Sequence, residues 1–222
     1  MKVTTDACLF GAWMSRELSH LNHEITNALD IGSGTGLLSL MLAQQHSCHI
    51  DAIEIDQSAY EQSVMNIKES LWAHRLNVRH ISMHSFVPVK TYDFIFSNPP
   101  FYERDLRSPD GRKNHAMHDT GLSVSDIIEF MDIHLASDGV AALLMPARRK
   151  EDVLRILTEK SFKICKITSV CNSMNHPELR IMFFFSKNKT ASVCHEKILI
   201  KSDNGEYSSE FKELLKTYYL YF

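Results

Sequence analysis

Residues 27–40 read NALDIGSGTGLLSL. Ala28, Leu29 and Ile31 surround a single carboxylate, Asp30, in a run short and apolar enough for a buried strand. From Leu37 onward the stretch opens a helical period, LLSLMLAQQ. Between the two, Gly32, Gly34 and Gly36 alternate with Ser33 and Thr35, and residues that lack a Cβ let the backbone turn sharply and let a ligand approach it. A strand that passes through a glycine turn straight into a helix is the opening unit of an α/β fold.

The rest of the chain continues that rhythm. Residues 27–32, 49–55, 77–82, 92–97, 139–145 and 163–170 read as strands, and LLSLMLAQQ, SAYEQSVMNIKESLWAH, SVSDIIEFMDIHLA and RKEDVLRILTEK between them read as helices. Strict alternation predicts a mostly parallel, doubly wound sheet with right-handed crossovers. The tail departs from it: RIMFFFS and SVCHEKILIK are separated only by the turn signal SKNKTA, which predicts an antiparallel C-terminal strand pair. The ending YSSEFKELLKTYYLYF predicts a helix opened by Ser208 or Ser209 with Glu210 near its start, its aromatic end packed. With 222 residues and no Pro/Gly/Ser linker or repeat, one domain over 1–222 is expected.

Composition narrows the function. A formal charge of −3 speaks against a protein basic over its whole surface, though it allows a local basic face. Two segments could form one: Arg104, Arg107, Arg112 and Lys113, and Arg148, Arg149 and Lys150. No apolar run approaches the ~18 residues a membrane span requires, and the amino terminus is a poor secretory signal, so a cytoplasmic location is expected. The 5 cysteines show neither paired zinc spacing nor a disulfide framework. His115, His118 and Asp119 come closest to a metal pattern and read as polar surface; no metal is expected.

Ligands of open α/β sheets bind at the carboxyl ends of the strands. The first strand ends at the glycine turn, and the second ends at Glu54, about 20 residues beyond Gly32, where a ribose-binding carboxylate belongs. A dinucleotide fingerprint G-x-G-x-x-G would need glycine at position 37 or 39, and the chain has Leu37 and Ser39 there. Asp30 through Gly36, D-x-G-x-G-x-G, instead resembles motif I of the class I methyltransferases that use S-adenosyl-L-methionine. That resemblance implies that Asp30, Gly32, Gly34 and Gly36 face the methionine portion of the cofactor and that Glu54 accepts from its ribose hydroxyls.

The fourth strand ends in Asn98-Pro99-Pro100-Phe101, which resembles the (D/N/S)-P-P-(Y/F/W) motif of methyltransferases acting on exocyclic or amide nitrogens. An adenine amino group is a poor nucleophile because its lone pair is delocalised into the ring. The Asn98 side-chain oxygen and the Pro99 carbonyl can each accept one of its two N–H groups, which localises electron density on nitrogen; the prolines keep those acceptors still. Phe101 can stack on the extruded base.

Three more stretches narrow the resemblance. KVTTDACLFGAWM at the start, NHPELRIMFFFSK with Arg180, and YSSEFKELLKTYYLYF at the end are similar to the corresponding segments of the bacterial enzymes that methylate N6 of the adenosine just 3′ of the anticodon in valine tRNA. By that resemblance Thr5 and Asp6 lie over the methionine end of the cofactor; for Asp6 a plain helix-entry cap is an equal reading. Where many relatives of the wider class place an acid against the cofactor adenine, ISMHSF offers His84 or Ser85. Tyr102 and the basic residues Arg104, Arg107, Arg112 and Lys113 would bind tRNA. After the loop, relatives commonly read A-R-H, and this chain has Ala116-Met117-His118. The rival targets are a glutamine side chain in a release factor and adenine in DNA, and a rival of another kind is a non-catalytic RNA-binding scaffold.

Overall fold

The computed structural model describes residues 3–100, 122–188 and 192–222. Eight strands form one sheet: β1 (Asn27–Ile31), β2 (His49–Glu54), β3 (Leu76–His80), β4 (Tyr92–Ser97), β5 (Leu135–Pro146), β6 (Lys163–Cys171), β7 (Glu178–Ser186) and β8 (Cys194–Leu199). Their order is β3-β2-β1-β4-β5-β7-β6-β8. The first five pair in parallel, as the alternation predicts.

The antiparallel element is β7, which inserts between β5 and β6 and runs against both. The final strand differs from expectation. β8 does not form a hairpin with β7; it lies beyond β6 and parallel to it, Lys166 opposite Cys194 through Cys171 opposite Leu199. A turn signal reports that the chain reverses, and the hydrogen-bonding partner is chosen by which edge is open. β7 already has neighbours on both sides, and the open edge at this end of the sheet is the outer edge of β6.

Helices cover both faces. α1 (Thr5–Ser19), α2 (Leu37–Gln45), α3 (Gln57–Lys68) and α6 (Ser209–Leu215) contribute to the core on one side, with Leu9, Phe10, Trp13, Leu42, Ile67 and Phe211 among its members. α4 (Val124–His134) and α5 (Lys150–Glu159) pack on the other, with Ile127, Met131, Val153 and Leu157 against Ile95, Leu143 and Phe183. The central strands are accordingly apolar on both faces, as in a parallel sheet covered twice. Asp30 is the exception in β1, at 0% exposure.

α1 is buried along most of its length and approaches α2 closely. A Cβ at Gly11 would stand 2.6 Å from the Met41 sulfur. The buried Trp13 ring keeps its polar edge satisfied, Nε1 donating to Thr168 Oγ1 at 3.0 Å and Glu196 Oε2 at 3.3 Å. Arg16 and Lys166 complete the cluster, pairing with Glu196 at 2.7 and 3.9 Å and so tying α1 to β6 and β8.

Two helices end earlier than their periodicity predicts. α3 stops at Lys68, where the Ser70 hydroxyl donates to the Ile67 carbonyl at 2.8 Å, and a 3-10 turn at Ala73–Arg75 follows. Arg75 then donates to the carbonyls of Ala43, His46 and Cys48, closing the end of α2. α6 ends at Leu215, opened by Ser208, whose hydroxyl accepts from Phe211 N–H at 3.1 Å. Tyr207, just before the helix, stacks on Phe211 at 4.8 Å, and beyond it Phe222 stacks on Tyr219 at 5.5 Å while Tyr221 stays exposed. No helix among the described residues is long and apolar enough to cross a membrane.

Candidate active site

β1 and β4 are neighbours whose last residues, Ile31 and Ser97, stand opposite each other. Adjacent strands lie roughly 4.8 Å apart. The glycine turn that starts at Gly32 and the proline segment that starts at Asn98 therefore leave the sheet side by side. The Ser97 hydroxyl fastens the two tips together, donating to the Ile31 carbonyl at 2.7 Å. β2 closes the other side: Ile31 faces Ile53, so Glu54 begins where the glycine turn begins.

The turn needs its glycines. Gly32, Gly34 and Gly36 have φ of 72°, 56° and 80°, in the left-handed region that costs an L residue with a Cβ about 1–2 kcal/mol. A Cβ on Gly36 would also meet Ser63 Oγ at 2.7 Å, whereas one on Gly32 would point into open space. The Gly32 and Ser33 N–H groups donate to the Ile53 carbonyl at 2.9 and 3.1 Å, and Asn66 Nδ2 donates to the Thr35 carbonyl at 2.9 Å. α2 follows with Gly36 at its N-cap and no side-chain cap. Its first N–H groups make a natural site for a ligand's polar atoms.

Glu54 is buried and grips the turn. Its Oε2 accepts from Gly34 N–H at 2.7 Å, and its Oε1 accepts from Ile55 and Asp56 N–H, both at 2.8 Å. A carboxylate offers about four acceptor positions. Three are used by backbone here, so Glu54 organises the turn as well as facing the space beside it. Neither the motif nor the spacing reveals this second task.

Asp30 lies fully buried beneath the turn. Ser39 donates to its Oδ2 at 2.7 Å, and its Oδ1 has no hydrogen-bond partner among the described residues. Burial raises its pKa to about 7, with the Glu54 charge adding to the rise and the Ser39 hydrogen bond opposing it. A buried carboxylate oxygen without a donor, next to three left-handed glycines, fits a ligand that brings a cationic donor group. Ser33 Oγ is likewise buried without a partner.

The third strand reaches the same edge, His80 opposite Glu54. The 3-10 turn Met83–Ser85 follows, with His84 and Ser85 both exposed. Ser85 is engaged locally: Ser82 Oγ accepts from Ser85 N–H at 3.2 Å and donates to Ser85 Oγ at 2.8 Å. Beside Glu54, Ile55 is 63% exposed, an apolar surface that sequence reading passes over because nothing in an isolated isoleucine distinguishes it from core.

Thr5 and Asp6 open α1. Thr4, not Thr5, is the N-cap, its hydroxyl accepting from Ala7 N–H at 3.4 Å. Asp6 also accepts from Ala7 N–H, at 3.1 Å, and its other oxygen pairs with Arg180 Nε at 2.8 Å. Both readings of Asp6 therefore keep support: it helps to cap the helix, and Arg180, opposite Pro146 at the end of β5, holds it at the edge where the strand tips lie.

Asn98 is half-buried, Pro99 buried and Pro100 exposed. Phe101, Tyr102, Arg104, Arg107, Arg112 and Lys113, and with them His115, His118 and Asp119, lie outside the described residues. Among the described residues no group of three or more His, Cys, Asp or Glu side chains is gathered that could hold a metal ion.

Comparison with known proteins agrees with this arrangement. Residues 16–168 match the family model "Methyltransferase small domain". Among solved structures of the same fold, a predicted O-methyltransferase from Agrobacterium tumefaciens has a TM-score of 0.72 at 14% identity, covering 97% of each chain. The N-methyltransferase NodS from Bradyrhizobium japonicum, in complex with S-adenosyl-L-homocysteine, has a TM-score of 0.57 at 18% identity, covering 80% of this chain and 86% of NodS. Much greater similarity links the chain to the tRNA1(Val) (adenine(37)-N6)-methyltransferase of Flavobacterium psychrophilum, 36% identical over 224 residues, 99% of this chain and 93% of the relative. The enzyme of the same name from Aliivibrio salmonicida is 31% identical over 221 residues, 99% and 91% of the two chains. With a glycine turn and an Asn-Pro-Pro segment on adjacent strand tips, and similarity of this extent from end to end, the chain belongs to the tRNA1(Val) (adenine(37)-N6)-methyltransferase family of class I methyltransferases.

Proposed function

We propose that this protein methylates the N6 amino group of adenosine 37, next to the anticodon of valine tRNA, with S-adenosyl-L-methionine as methyl donor. The observation that carries the reading is the register of β1 and β4, which brings the glycine turn above Asp30 and an acceptor-bearing Asn-Pro segment side by side. S-adenosyl-L-methionine, when bound, supplies an electrophilic methyl group on a cationic sulfur.

The residues of the chain do the rest by holding. Asp30 and the turn from Gly32 to Gly36 receive the methionine portion, the unpartnered Asp30 oxygen meeting a cationic group there. Glu54 has one acceptor position left for a ribose hydroxyl, and Ile55 offers the adenine of the cofactor an apolar face. His84 is the better of the two candidates for the adenine edge, because Ser85 is tied to Ser82.

Asn98 and Pro99 receive the target. The Asn98 side-chain oxygen and the Pro99 carbonyl each accept one N–H of the adenosine amino group, turning its lone pair away from the ring and toward the methyl group. The Pro99 carbonyl is held before the substrate arrives, since proline locks φ and Pro99 is buried. Preorganised acceptors of this kind act without reorganisation at the moment of reaction. Phe101 stacks on the extruded base. The amino proton leaves to water after transfer.

Nucleoside mass spectrometry tests the assignment. Purified enzyme with cofactor should introduce N6-methyladenosine into unmodified valine tRNA, and tRNA from a deletion strain should lack it at that position. Transfer to a release-factor glutamine peptide or to duplex DNA, with none to tRNA, would overturn it.

A further inference from the structure

The segment Arg148-Arg149-Lys150 has no part in the chemistry above, yet the fold carries it to the same edge. β5 lies beside β4, with Leu143 opposite Ser97, and runs on for three more residues to Pro146. At a strand rise of about 3.3 Å, that extension lifts the end of β5 roughly 10 Å beyond the level at which the Asn98 segment leaves the sheet. The 3-10 turn Ala147–Arg149 caps this projection and packs against β7.

The three cations are not equivalent. Arg149 Nε pairs with Asp152 at 3.1 Å and Lys150 Nζ reaches Glu178 at 4.0 Å, so these two brace the turn against α5 and β7. Arg180, next along the edge, pairs with Asp6 at 2.8 Å. Arg148 is exposed, and no salt bridge to it is found among the described residues. The nearby acids are accounted for too: Glu151 and Asp152 stand in the first turn of α5, where the helix N-terminus favours negative charge.

We propose that Arg148 is a positioning residue that binds a backbone phosphate flanking the target adenosine, with Arg149 and Lys150 serving to hold its turn rigid. The inference rests on the tRNA reading above. An anionic backbone reaching Asn98 from the β5 side passes the raised end of that strand, where Arg148 is the exposed cation among the described residues. Phosphate contacts fix the register of a nucleic acid and carry no base information. Arg148 therefore determines how long the adenosine stays at Asn98 and leaves the choice of base to the Asn98-Pro99 acceptors.

Arg148→Gln tests this against Lys68→Gln, which removes the same charge from the exposed last turn of α3. Binding of unmodified valine tRNA is measured across a salt series, together with cofactor affinity and methyl transfer under saturating tRNA. Arg148→Gln should weaken tRNA binding about three- to tenfold and lower the slope of log affinity against log salt by about 0.7–0.9, the value of one phosphate contact. It should raise KM for tRNA with kcat and cofactor affinity nearly unchanged. Lys68→Gln should match the wild type, and Arg148→Lys should recover most of the loss. An unchanged affinity and slope in Arg148→Gln, while the wild type methylates tRNA, overturns the role of Arg148 alone. A wild type that neither binds nor methylates tRNA overturns the functional reading and this inference together.

Discussion

Two neighbouring turns in this protein solve opposite problems. The turn after β1 holds three glycines at positive φ and spends its N–H groups on the protein itself, Gly32 and Ser33 on the Ile53 carbonyl, Gly34 on Glu54 and Gly36 on the Ser33 carbonyl. The segment after β4 holds residues denied that freedom: Pro99 and Pro100 have no N–H and a fixed φ. In the function proposed above, the first tip brings the cofactor against Asp30 and Glu54, and the second holds the acceptors of the target amino group. Because Ile31 and Ser97 are in register, the two tips stand side by side. The lesson is that glycine and proline divide the work at such a site, glycine letting the backbone turn sharply beside a ligand and proline stiffening the segment that carries an acceptor.

The comparison can be broken first at the acceptor side. Asn98→Ala should reduce kcat by about a hundredfold or more, the usual consequence of removing one preorganised polar contact, and leave cofactor affinity nearly intact. Next comes Glu54→Ala on the cofactor side. A charge-assisted hydrogen bond contributes roughly 1.5–3 kcal/mol, so cofactor affinity should fall about ten- to a hundredfold. Three backbone N–H groups also lose their acceptor, so the melting temperature should drop with it; calorimetry and thermal unfolding read the two effects separately.

A smaller effect separates two glycines of one turn. Gly36→Ala should destabilise the free protein more than Gly32→Ala. Both incur the left-handed cost of about 1–2 kcal/mol, and only at Gly36 does the new Cβ meet Ser63 Oγ. Denaturant unfolding of the two variants decides it, and equal losses would remove the steric part of the account.

The smallest effect is a pH dependence. The pKa of Asp30 is raised by burial to about 7, against an ordinary 3.8, so between those values the folded protein holds a proton that the unfolded chain has released. Stability of the cofactor-free protein should therefore decline as pH rises from about 4 to about 7 on account of this group. Affinity for the cationic cofactor should change in the opposite sense, weakening several-fold as pH falls from 8 to 6 and Asp30 gains its proton. Asp30→Asn should flatten both trends.

What could be read from sequence alone follows from how local the physics is. The glycine turn, the Asn-Pro-Pro segment and the carboxylate at the end of β2 are legible because each depends on backbone constraints within a few residues and on alternation that places strand ends together. The partner of β8 was not, since it depends on which sheet edge is left open after β7 inserts. Nor were the end of α3, set by Ser70 and followed by Arg75, or the anchoring of Asp6 by Arg180 across 174 positions of sequence. Glu54 shows both sides: its position was legible, and its grip on Gly34 appears only when β1 and β2 are side by side.

The most direct test sets Asn98→Ala and Glu54→Ala side by side in the same two assays, cofactor binding by calorimetry and single-turnover methyl transfer to unmodified valine tRNA at saturating cofactor. In the proposed function Glu54 acts on the cofactor and Asn98 on the target adenosine, so the effects should cross. Asn98→Ala should bind cofactor like the wild type and transfer about a hundredfold more slowly, whereas Glu54→Ala should bind cofactor weakly and recover most of its rate once saturated. Full transfer rate in a folded Asn98→Ala protein would contradict the account.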